Sequence, residues 1–397
     1  MKKGILDGIV VHDLTRVLAG PYCGMLMADM GATVYKIEQP KKGDDSRAFG
    51  PFINGESAYY MNLNRSKIGV TLNLKAPEAK EVFKEMVKKA DVVIENYRPG
   101  TMEKLGLGYE TLKEINPGIV YGCISGFGHY GPYSQRAGYD IIGQAMGGLM
   151  STSGWPGGAP TRTGTAMGDV LGGLGCTIGV LAAVINKIKT GEGQKVDVAL
   201  VDSVVSSLEI INQIYLATGR IPERIGNRYE SAYPYDSFRA KDGDVIIACG
   251  NDKLYKLLTE VMCQPELLTD ERFTSNVLRV KNHADLKPLI EAWTTQHEID
   301  DIVESLLAVG VPSSPINTID RVVKDPHIAV AREMFVEVQH PVAGKTVLTG
   351  DHIKFSDKKA EVRNPAPTLG QDNFEVYENF IGLSEETIKE YIEKGIM

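Results

Sequence analysis

The chain has 397 residues, more than one hydrophobic core usually serves, which predicts two domains. A hydrophobic content of 43% and a charged content of 24% are ordinary for a globular enzyme, and the net charge of −8 argues against a general nucleic-acid-binding protein. The longest apolar runs are short and broken by glycine or charge, so we expect neither a membrane span nor a signal peptide.

The first elements predict a strand–helix–strand unit. We expect a strand at Gly8–Leu14, a helix at Tyr22–Met30 and a second strand at Ala32–Glu38. Such units build a parallel sheet with helices on its faces, so the chain should open with an α/β domain. Ligands bind at the carboxyl ends of parallel strands, which makes the loop Thr15–Pro21 a candidate wall of a site.

Glu38 ends the second predicted strand, where nicotinamide enzymes place the acidic residue that binds ribose. That position makes a dinucleotide-binding domain one possible interpretation. No G-x-G-x-x-G fingerprint precedes Glu38, so the sequence gives this interpretation little support.

Further strands of the same sheet are predicted at Ala90–Glu95, Gly118–Ile124 and Lys195–Leu200. Three cations, Lys75, Arg98 and Lys104, then fall near one edge of the sheet. Lysine and arginine are most often solvated surface charges. The same three are suited to a phosphorylated ligand, because arginine binds phosphate bidentately and lysine binds it as a point charge.

The second half of the chain changes character. The polar, Arg-rich stretch Gly219–Ala232 is typical of a linker, and Gly243–Gly250 predicts a strand followed by amphipathic helices. Later strand-like stretches at Val336–Gln339 and Thr346–Leu348 indicate a return to the first domain. The five cysteines are scattered and lack C-x-x-C spacing, which predicts free thiols in a reducing cytoplasm and no metal site.

Residues 161–175, TRTGTAMGDVLGGLG, place one carboxylate, Asp169, among glycines. The apolar stripe after it predicts a helix with Asp169 at or near its N-terminus. Aspartate is a favoured N-cap, so capping is the ordinary interpretation of this residue. The glycines on both sides also suit the close approach of a ligand to the backbone, which makes Asp169 a candidate catalytic residue.

Several segments, in order, resemble the class III CoA-transferases of the formyl-CoA and carnitine CoA-transferase type, the CaiB/BaiF family. The matching segments are LDGIVVHDLTRVLAGP (6–21), ADMGATVYKIEQPKKGDDSR (28–47), NLNRSKIGVTLNLK (62–75), ENYRPG (95–100), SGFGHYGPY (125–133), MGD (167–169), TGEGQKVDVALVDS (190–203) and VGVPSSPINT (309–318). The resemblance extends over essentially the whole chain.

The resemblance implies a large domain with an open, Rossmann-like parallel sheet, built from residues 1–222 and 325–397. It implies a smaller α+β domain at 223–324 and a homodimer of interlocked, ring-shaped subunits. The expected substrates are acyl-CoA and small carboxylic acids, with coenzyme A as a substrate and no tightly bound cofactor. Nucleic acid and membrane are not expected partners, and the expected location is the cytoplasm.

The resemblance also implies the site residues, with Asp169 as the catalytic carboxylate. The implied CoA contacts are Val17, Leu18, Ala19, Leu72, Lys75, Asn96, Tyr97, Arg98 and Lys104. The implied substrate contacts are Phe49, Tyr139, Asp140 and Gly250. Gln39 and Lys104 stand where formyl-CoA transferase has arginines, and that enzyme has a tryptophan at about Ala48–Phe49.

A carboxylate suits CoA transfer because it can carry an acyl group as an anhydride and then CoA as a thioester, which divides one difficult exchange into easier steps. The alternative on the same fold is an α-methylacyl-CoA racemase, which moves a proton with a His–Asp pair. This chain has Tyr139–Asp140 there, and tyrosine, with a pKa of about 10, is a poorer proton shuttle near neutral pH. His129 stands elsewhere in the loop, where its ordinary interpretation is an exposed turn residue. A non-catalytic CoA-binding scaffold would leave Asp169 without a role.

Overall fold

Six parallel strands form the central sheet of the computed structural model, which describes residues 4–397. They are β1 (Val10–Asp13), β2 (Thr33–Glu38), β5 (Ile68–Thr71), β6 (Val92–Glu95), β7 (Val120–Ser125) and β8 (Lys195–Ala199). Their order across the sheet is β5-β2-β1-β6-β7-β8, and every neighbouring pair is parallel. This confirms the predicted α/β domain with a parallel sheet.

Most strand residues are buried, because helices cover both faces of the sheet. Every residue of β6 and β7 is buried, and Val11 of β1 pairs with Val34 on one side and Val92 on the other. Two antiparallel hairpins complete the strands of this unit. They are β3 (Phe52–Ile53) with β4 (Glu56–Ser57), and β12 (Phe335–His340) with β13 (Gly344–Thr349).

The chain divides into two compact units, and the sheet belongs to the larger, which comprises residues 1–149, 162–216 and 325–397. Its helices are α1 (Ala19–Asp29), α2 (Ala58–Asn64), α3 (Pro77–Val87), α4 (Thr101–Leu105), α5 (Tyr109–Ile115), α6 (Asp140–Met146), α8 (Met167–Thr190), α9 (Leu200–Ser207), α16 (Asn373–Asn379) and α17 (Glu385–Glu393). Short 3₁₀ and π helices lie at Asp45–Ala48 and Pro326–Ala331. Two helices, α7 (Leu149–Thr152) and α10 (Glu209–Thr218), cross the boundaries between the units.

Glycine permits the close packing of α8 on α1. A Cβ on Gly173 would stand 2.6 Å from the carbonyl oxygen of Ala19, a contact that the backbone cannot accommodate without moving. Beyond it, Cys176 and Val180 pack with Cys23 in the buried cluster on this face of the sheet. The glycines that surround Asp169 in the sequence therefore also serve helix packing.

The helix α8 has the length and apolar composition of a membrane span, which the sequence analysis did not expect because glycines interrupt its apolar run. Helices in the core of a globular unit pass the same test. In α8 the residues Val180, Ala183 and Val184 are buried against the sheet. Packing against the sheet therefore accounts for the buried face of α8, whereas Ile178, Ile185 and Ile188 of the same helix are exposed.

The smaller unit comprises residues 150–161 and 217–324. Its three-stranded antiparallel sheet has the order β11-β10-β9. Its elements are β9 (Tyr235–Arg239), β10 (Asp244–Ala248), β11 (Ser313–Pro315), α11 (Asp252–Val261), a 3₁₀ turn (Pro265–Leu268), α12 (Asn276–Lys281), α13 (His283–Thr294), α14 (Ile299–Ala308) and α15 (Ile319–Val322). The segment 223–324, expected as the smaller domain, lies within this unit.

Three elements differ from the sequence-based expectations. The sequence also predicts one helical stretch, Asp202–Ala217, after the strand at Lys195–Leu200; the structure has two helices there, α9 and α10, bent by 75° where Glu209 takes a positive φ of 24°. The sequence predicts no helix at α6, because Gly143 in its centre lowers its helix propensity. The helix α1 begins at Ala19 and not at Tyr22, so the last three residues of the predicted ligand-binding loop Thr15–Pro21 form its first turn.

Candidate active site

The loops that follow β1, β6 and β7 meet at one cavity of about 210 Å³ in the larger unit. The lining includes the predicted CoA contacts Val17, Leu18, Ala19, Asn96, Tyr97 and Arg98, together with Tyr139 and Asp169. All of these residues follow the carboxyl ends of parallel strands or begin helices, which is where open α/β sheets bind ligands. The topology thus brings distant segments of the chain together around Asp169.

Asp169 lies in the first turn of α8, as the sequence predicted, but it does not cap the helix. The N-cap residue is Ala166, which has only a methyl side chain. The cap comes from Asp140, whose Oδ1 accepts hydrogen bonds from the backbone N–H groups of Gly168 (2.8 Å) and Asp169 (3.4 Å). Because Asp140 satisfies these N–H groups, the Asp169 carboxyl is released from the capping role.

The Asp169 carboxyl is half-buried and accepts no hydrogen bond from any residue in the described range 4–397. Burial, with a further contribution from the negative charge of Asp140, raises the pKa of Asp169 to about 7. A partly desolvated carboxylate without hydrogen-bond donors is a stronger nucleophile than a solvated one. Perturbed carboxyls of this kind, in a cleft, are typical of functional sites.

Tyr59, which the sequence analysis did not single out, packs against the predicted substrate contact Phe49 and is influenced by the charge of Asp169. Burial, followed by the charges of Asp169, Asp44 and Asp140, raises the pKa of Tyr59 to about 12. The phenol therefore stays protonated at neutral pH and can donate a hydrogen bond. Its ring packs edge-on against Phe49, with centroids 5.8 Å apart. Tyr59 falls in α2, far from the MGD motif in sequence, and nothing in the local pattern marks it.

The predicted substrate contacts lie in three places. Phe49 and Tyr139 line an open recess together with Val17, and Tyr139 also borders the Asp169 cavity. Asp140 is buried and holds the start of α8. Gly250 follows β10 in the smaller unit.

A second cavity of about 280 Å³ lies beside the first and is lined by Leu72, Lys75 and Tyr97, all of them predicted CoA contacts. Tyr97 borders both cavities. Lys104 lies on α4 and is exposed. The residues of α4 that line the second cavity are Thr101 and Leu105.

Asn96 holds the loop after β1. Its side chain accepts a hydrogen bond from the backbone N–H of Arg16 (2.8 Å) and donates one to the Arg16 carbonyl oxygen (2.7 Å). The Arg16 guanidinium in turn lies 3.1 Å from the carboxylate of Asp45 and over the ring of Tyr97. Asn96 therefore positions the Val17–Ala19 segment through its backbone.

The Glu38 carboxylate already accepts hydrogen bonds from groups of the protein itself, so it is not free to bind a ribose. It is buried and accepts hydrogen bonds from Arg47, from the Tyr60 hydroxyl and from the backbone N–H of Asp44. The contact with Arg47 is bidentate, at 2.7 and 2.8 Å. Glu38 thus fixes the loop that follows β2.

His129 is not the exposed turn residue expected from the sequence, because its side chain is only 8% exposed. Its Nδ1 lies 3.0 Å from the ammonium of Lys195, and burial followed by that positive charge lowers its pKa. The ligand atoms of Glu95, Cys123 and His129 lie within 4.8 Å of one another, the spacing of a metal site. Lys195 already supplies a positive charge to this group, and an ammonium beside His129 opposes binding of a cation.

Comparison with known proteins adds independent evidence. Residues 6–373 match the family model described as CoA-transferase family III. The chain is 36% identical to succinyl-CoA:glutarate CoA-transferase of Homo sapiens, covering 99% of this chain and 90% of that protein. It is 38% identical to acetyl-CoA:oxalate CoA-transferase of Acetobacter aceti, covering 95% and 96%.

A solved structure agrees with these matches. A CAIB/BAIF family protein from Brucella suis superposes with a TM-score of 0.84 at 39% sequence identity, covering 94% of this chain and 99% of that one. Fold, sequence and family model therefore point to one family over nearly the whole length. The chain belongs to CoA-transferase family III, and it is a CoA-transferase.

Proposed function

We propose that this CoA-transferase moves CoA from an acyl-CoA donor to a small dicarboxylic acid, with Asp169 as the nucleophile. The observation that carries this proposal is the Asp169 carboxyl itself, which lines the cavity, is half-buried and has a raised pKa. Relatives at 36% and 38% identity are named for glutarate and oxalate, both dicarboxylic acids. The cations Arg16, Arg98 and Arg136 line the same cavity and suit anionic substrates.

The first half of the reaction exchanges the donor acid for CoA on the enzyme. The Asp169 carboxylate attacks the thioester carbonyl of the donor, the C–S bond breaks, and CoA leaves as a thiolate. The product on the enzyme is a mixed anhydride. The thiolate then attacks the aspartyl carbonyl of the anhydride, which releases the donor acid as a carboxylate and leaves CoA on Asp169 as a thioester.

The second half runs these steps in reverse with the acceptor. The acceptor carboxylate attacks the Asp169 thioester and expels CoA thiolate, which forms a second anhydride. The thiolate attacks the acceptor carbonyl, so the new acyl-CoA leaves and Asp169 returns as a carboxylate. No external oxidant or base is consumed, and water must be kept from the activated carbonyls.

We assign the two cavities to the two ends of acyl-CoA. Tyr97, Leu72 and Lys75 would hold the CoA moiety in the second cavity, and Asn96 would position the loop after β1. Coenzyme A would act as a substrate and not as a resident cofactor. The cavity with Asp169 would hold the thioester. Phe49 and Tyr139, which line the adjoining recess, would contact the acyl group.

We further propose a cytoplasmic homodimer with interlocked subunits. The free cysteines suit a reducing compartment, and four of the five are buried. Ile178, Ile185 and Ile188 are each more than half exposed along α8, which is unusual for a helix in a core. A second copy of the chain would remove these isoleucines from water.

The racemase alternative requires a histidine base where this chain has Tyr139, so its base is missing at that position. Tyr139 is 76% exposed there, and Asp140 is engaged as the cap of α8. His129 is bound to Lys195 in a separate cluster.

The test is a matrix of acyl-CoA donors against carboxylate acceptors, with the product acyl-CoA identified by mass. We expect transfer to small dicarboxylates of the kind for which the relatives are named, oxalate and glutarate. Turnover of 2-methylacyl-CoA epimers with incorporation of solvent deuterium, and no transfer to any acceptor, would contradict the proposal.

A further inference from the structure

Gln144 is a fully buried amide on α6, one helical turn after Asp140. Its Nε2 donates to Asp140 Oδ2 at 2.8 Å, and its Oε1 accepts from the backbone N–H of Thr163 at 3.0 Å. The Thr163 hydroxyl lies 3.2 Å from Oε1, and the Thr165 carbonyl oxygen lies 3.4 Å from Nε2. The amide therefore uses both its donor and its acceptor, and its partners all belong to the surroundings of Asp169.

These contacts connect α6 to the start of α8 along two routes. One route passes through Asp140. Its Oδ2 accepts a hydrogen bond from the Gln144 amide, and its Oδ1 accepts hydrogen bonds from the N–H groups of Gly168 and Asp169. The other passes through Thr163 and Thr165, which belong to the segment leading into α8. A single side chain thus fixes both the cap of the helix and the chain that enters it.

The charge balance around Gln144 depends on its being neutral. Asp140 and Asp169 are acidic, and the titratable phenol of Tyr59 has its pKa raised by both. A cation, Arg162, also lies nearby: its Nη1 is 3.9 Å from Asp140 Oδ2, on a half-exposed side chain. A neutral donor at Gln144 stabilises the Asp140 carboxylate without adding charge to the neighbourhood of Asp169.

We propose that Gln144 is a positioning residue for CoA transfer: it holds Asp140 and the Thr163–Thr165 segment so that the first turn of α8 presents Asp169 to the cavity. Gln144 is buried beneath the site and acts on Asp169 only through these partners. The inference rests on the proposed role of Asp169 as the nucleophile. A displaced nucleophile would lower the rate of the chemical step and leave the CoA-binding residues in place.

The test compares Gln144→Glu and Gln144→Leu in the full-length protein. The glutamate variant is nearly isosteric, and its carboxyl can donate to Asp140 only while it is protonated. We expect its kcat, relative to wild type, to fall about tenfold or more between pH 6 and pH 8, with KM for acyl-CoA changed less than about threefold. Gln144→Leu should lose at least about tenfold in kcat at every pH.

Thr177→Val is the matched control. Thr177 is a buried residue of the same helix, and its hydroxyl donates to the Gly173 carbonyl oxygen at 2.8 Å without contacting Asp140. We expect this variant to have a lower Tm but the kcat and pH profile of wild type. A loss of stability alone would then be separated from a loss of positioning.

The inference would be overturned if the ratio of the Gln144→Glu kcat to the wild-type kcat were constant from pH 6 to pH 8. It would also be overturned if folded Gln144→Leu had the kcat of wild type. If Gln144→Leu does not fold, the change in the Gln144→Glu ratio between pH 6, where the carboxyl retains its donor, and pH 8 decides the question. Failure of the proposed role of Asp169 is distinguishable, because Asp169→Asn would then keep its transfer activity whatever the Gln144 variants do.

Discussion

Asp169 has no hydrogen-bond donor within the described residues and a second carboxylate, Asp140, as its neighbour. Burial, followed by the negative charge of Asp140, disfavours its ionised form and raises its pKa. A carboxylate left in this state has lost the solvation that would weaken it as a nucleophile. Asp140 offsets part of this electrostatic cost by capping α8, which explains why two acidic residues lie together.

The first prediction concerns the pH dependence of this pair. Asp169 must be ionised to attack, so kcat/KM should rise with pH through a midpoint near 7. Asp140→Asn removes a negative charge but keeps an oxygen that can accept the Gly168 N–H. The midpoint should therefore move to lower pH. A pH–rate profile of the variant with an unchanged or higher midpoint would contradict the electrostatic account.

The second prediction uses stability and needs no substrate. Asp169 has a pKa of about 7 in the folded protein, above the ordinary 3.8, so the folded state binds more protons. Wild type should lose stability as the pH rises from about 4 to 7, and Asp169→Asn should not show this loss. We expect the Tm of the variant minus that of wild type to increase between pH 5 and pH 8. A difference that stays constant would show that the carboxyl has an ordinary pKa.

The third prediction concerns Lys75, an exposed lysine on the wall of the second cavity. Lys75→Gln should raise the Kd for CoA about two- to fivefold at low ionic strength, and less at high salt because exposed charges are screened. Lys358→Gln, at another exposed lysine of the larger unit, is the matched control. The measurement is calorimetric titration of CoA into both variants. Equal affinities at low salt would show that Lys75 is an ordinary surface charge.

Among the secondary-structure elements, α8 combines packing and chemistry, and its glycines have different tasks. A Cβ on Gly173 would meet the Ala19 backbone at 2.6 Å, whereas a Cβ on Gly175 would meet Val198 at an ordinary 3.6 Å. Ala19 also lines the Asp169 cavity. Separation of α1 from α8 would therefore disturb the site as well as the core.

The fourth prediction follows from this contrast. Gly173→Ala should destabilise the protein by about 1–3 kcal/mol, because backbone must move to relieve the contact. Gly175→Ala should leave stability equal or raise it by up to about 1 kcal/mol, because alanine is the better helix former. Denaturant unfolding of the two variants provides the measurement. Equal effects would mean that the α1–α8 contact is looser than described.

The sequence was sufficient for elements whose signals are local. The periodic strands β1, β2 and β6, and the place of Asp169 in the first turn of a helix, follow from patterns within a few residues. The cap of α8 could not be predicted, because it comes from Asp140, 29 residues before Asp169. Tyr59 was missed for the same reason, since only the fold brings α2 to the site. The engagement of Glu38 by Arg47 also depends on a loop whose path the sequence does not specify.

For the molecule as a whole, the exposed isoleucines of α8 favour a partner, and interlocked subunits would make that association permanent. Tagged and untagged protein, each purified and then mixed under native conditions, should form no mixed dimers over many hours. Mixing after denaturation and refolding is the positive control and should give them. Rapid native exchange would indicate an ordinary surface interface.

The central claim is that Asp169 carries activated carbonyls during turnover. Hydroxylamine attacks anhydrides and thioesters but not free carboxylates, so the protein should be inactivated by hydroxylamine only when an acyl-CoA donor is present. Peptide mass analysis should map the hydroxamate to Asp169, and Asp169→Asn should bind CoA yet show no labelling and no transfer. Inactivation that is independent of donor, or a label on another residue with Asp169 unmodified, would contradict the account.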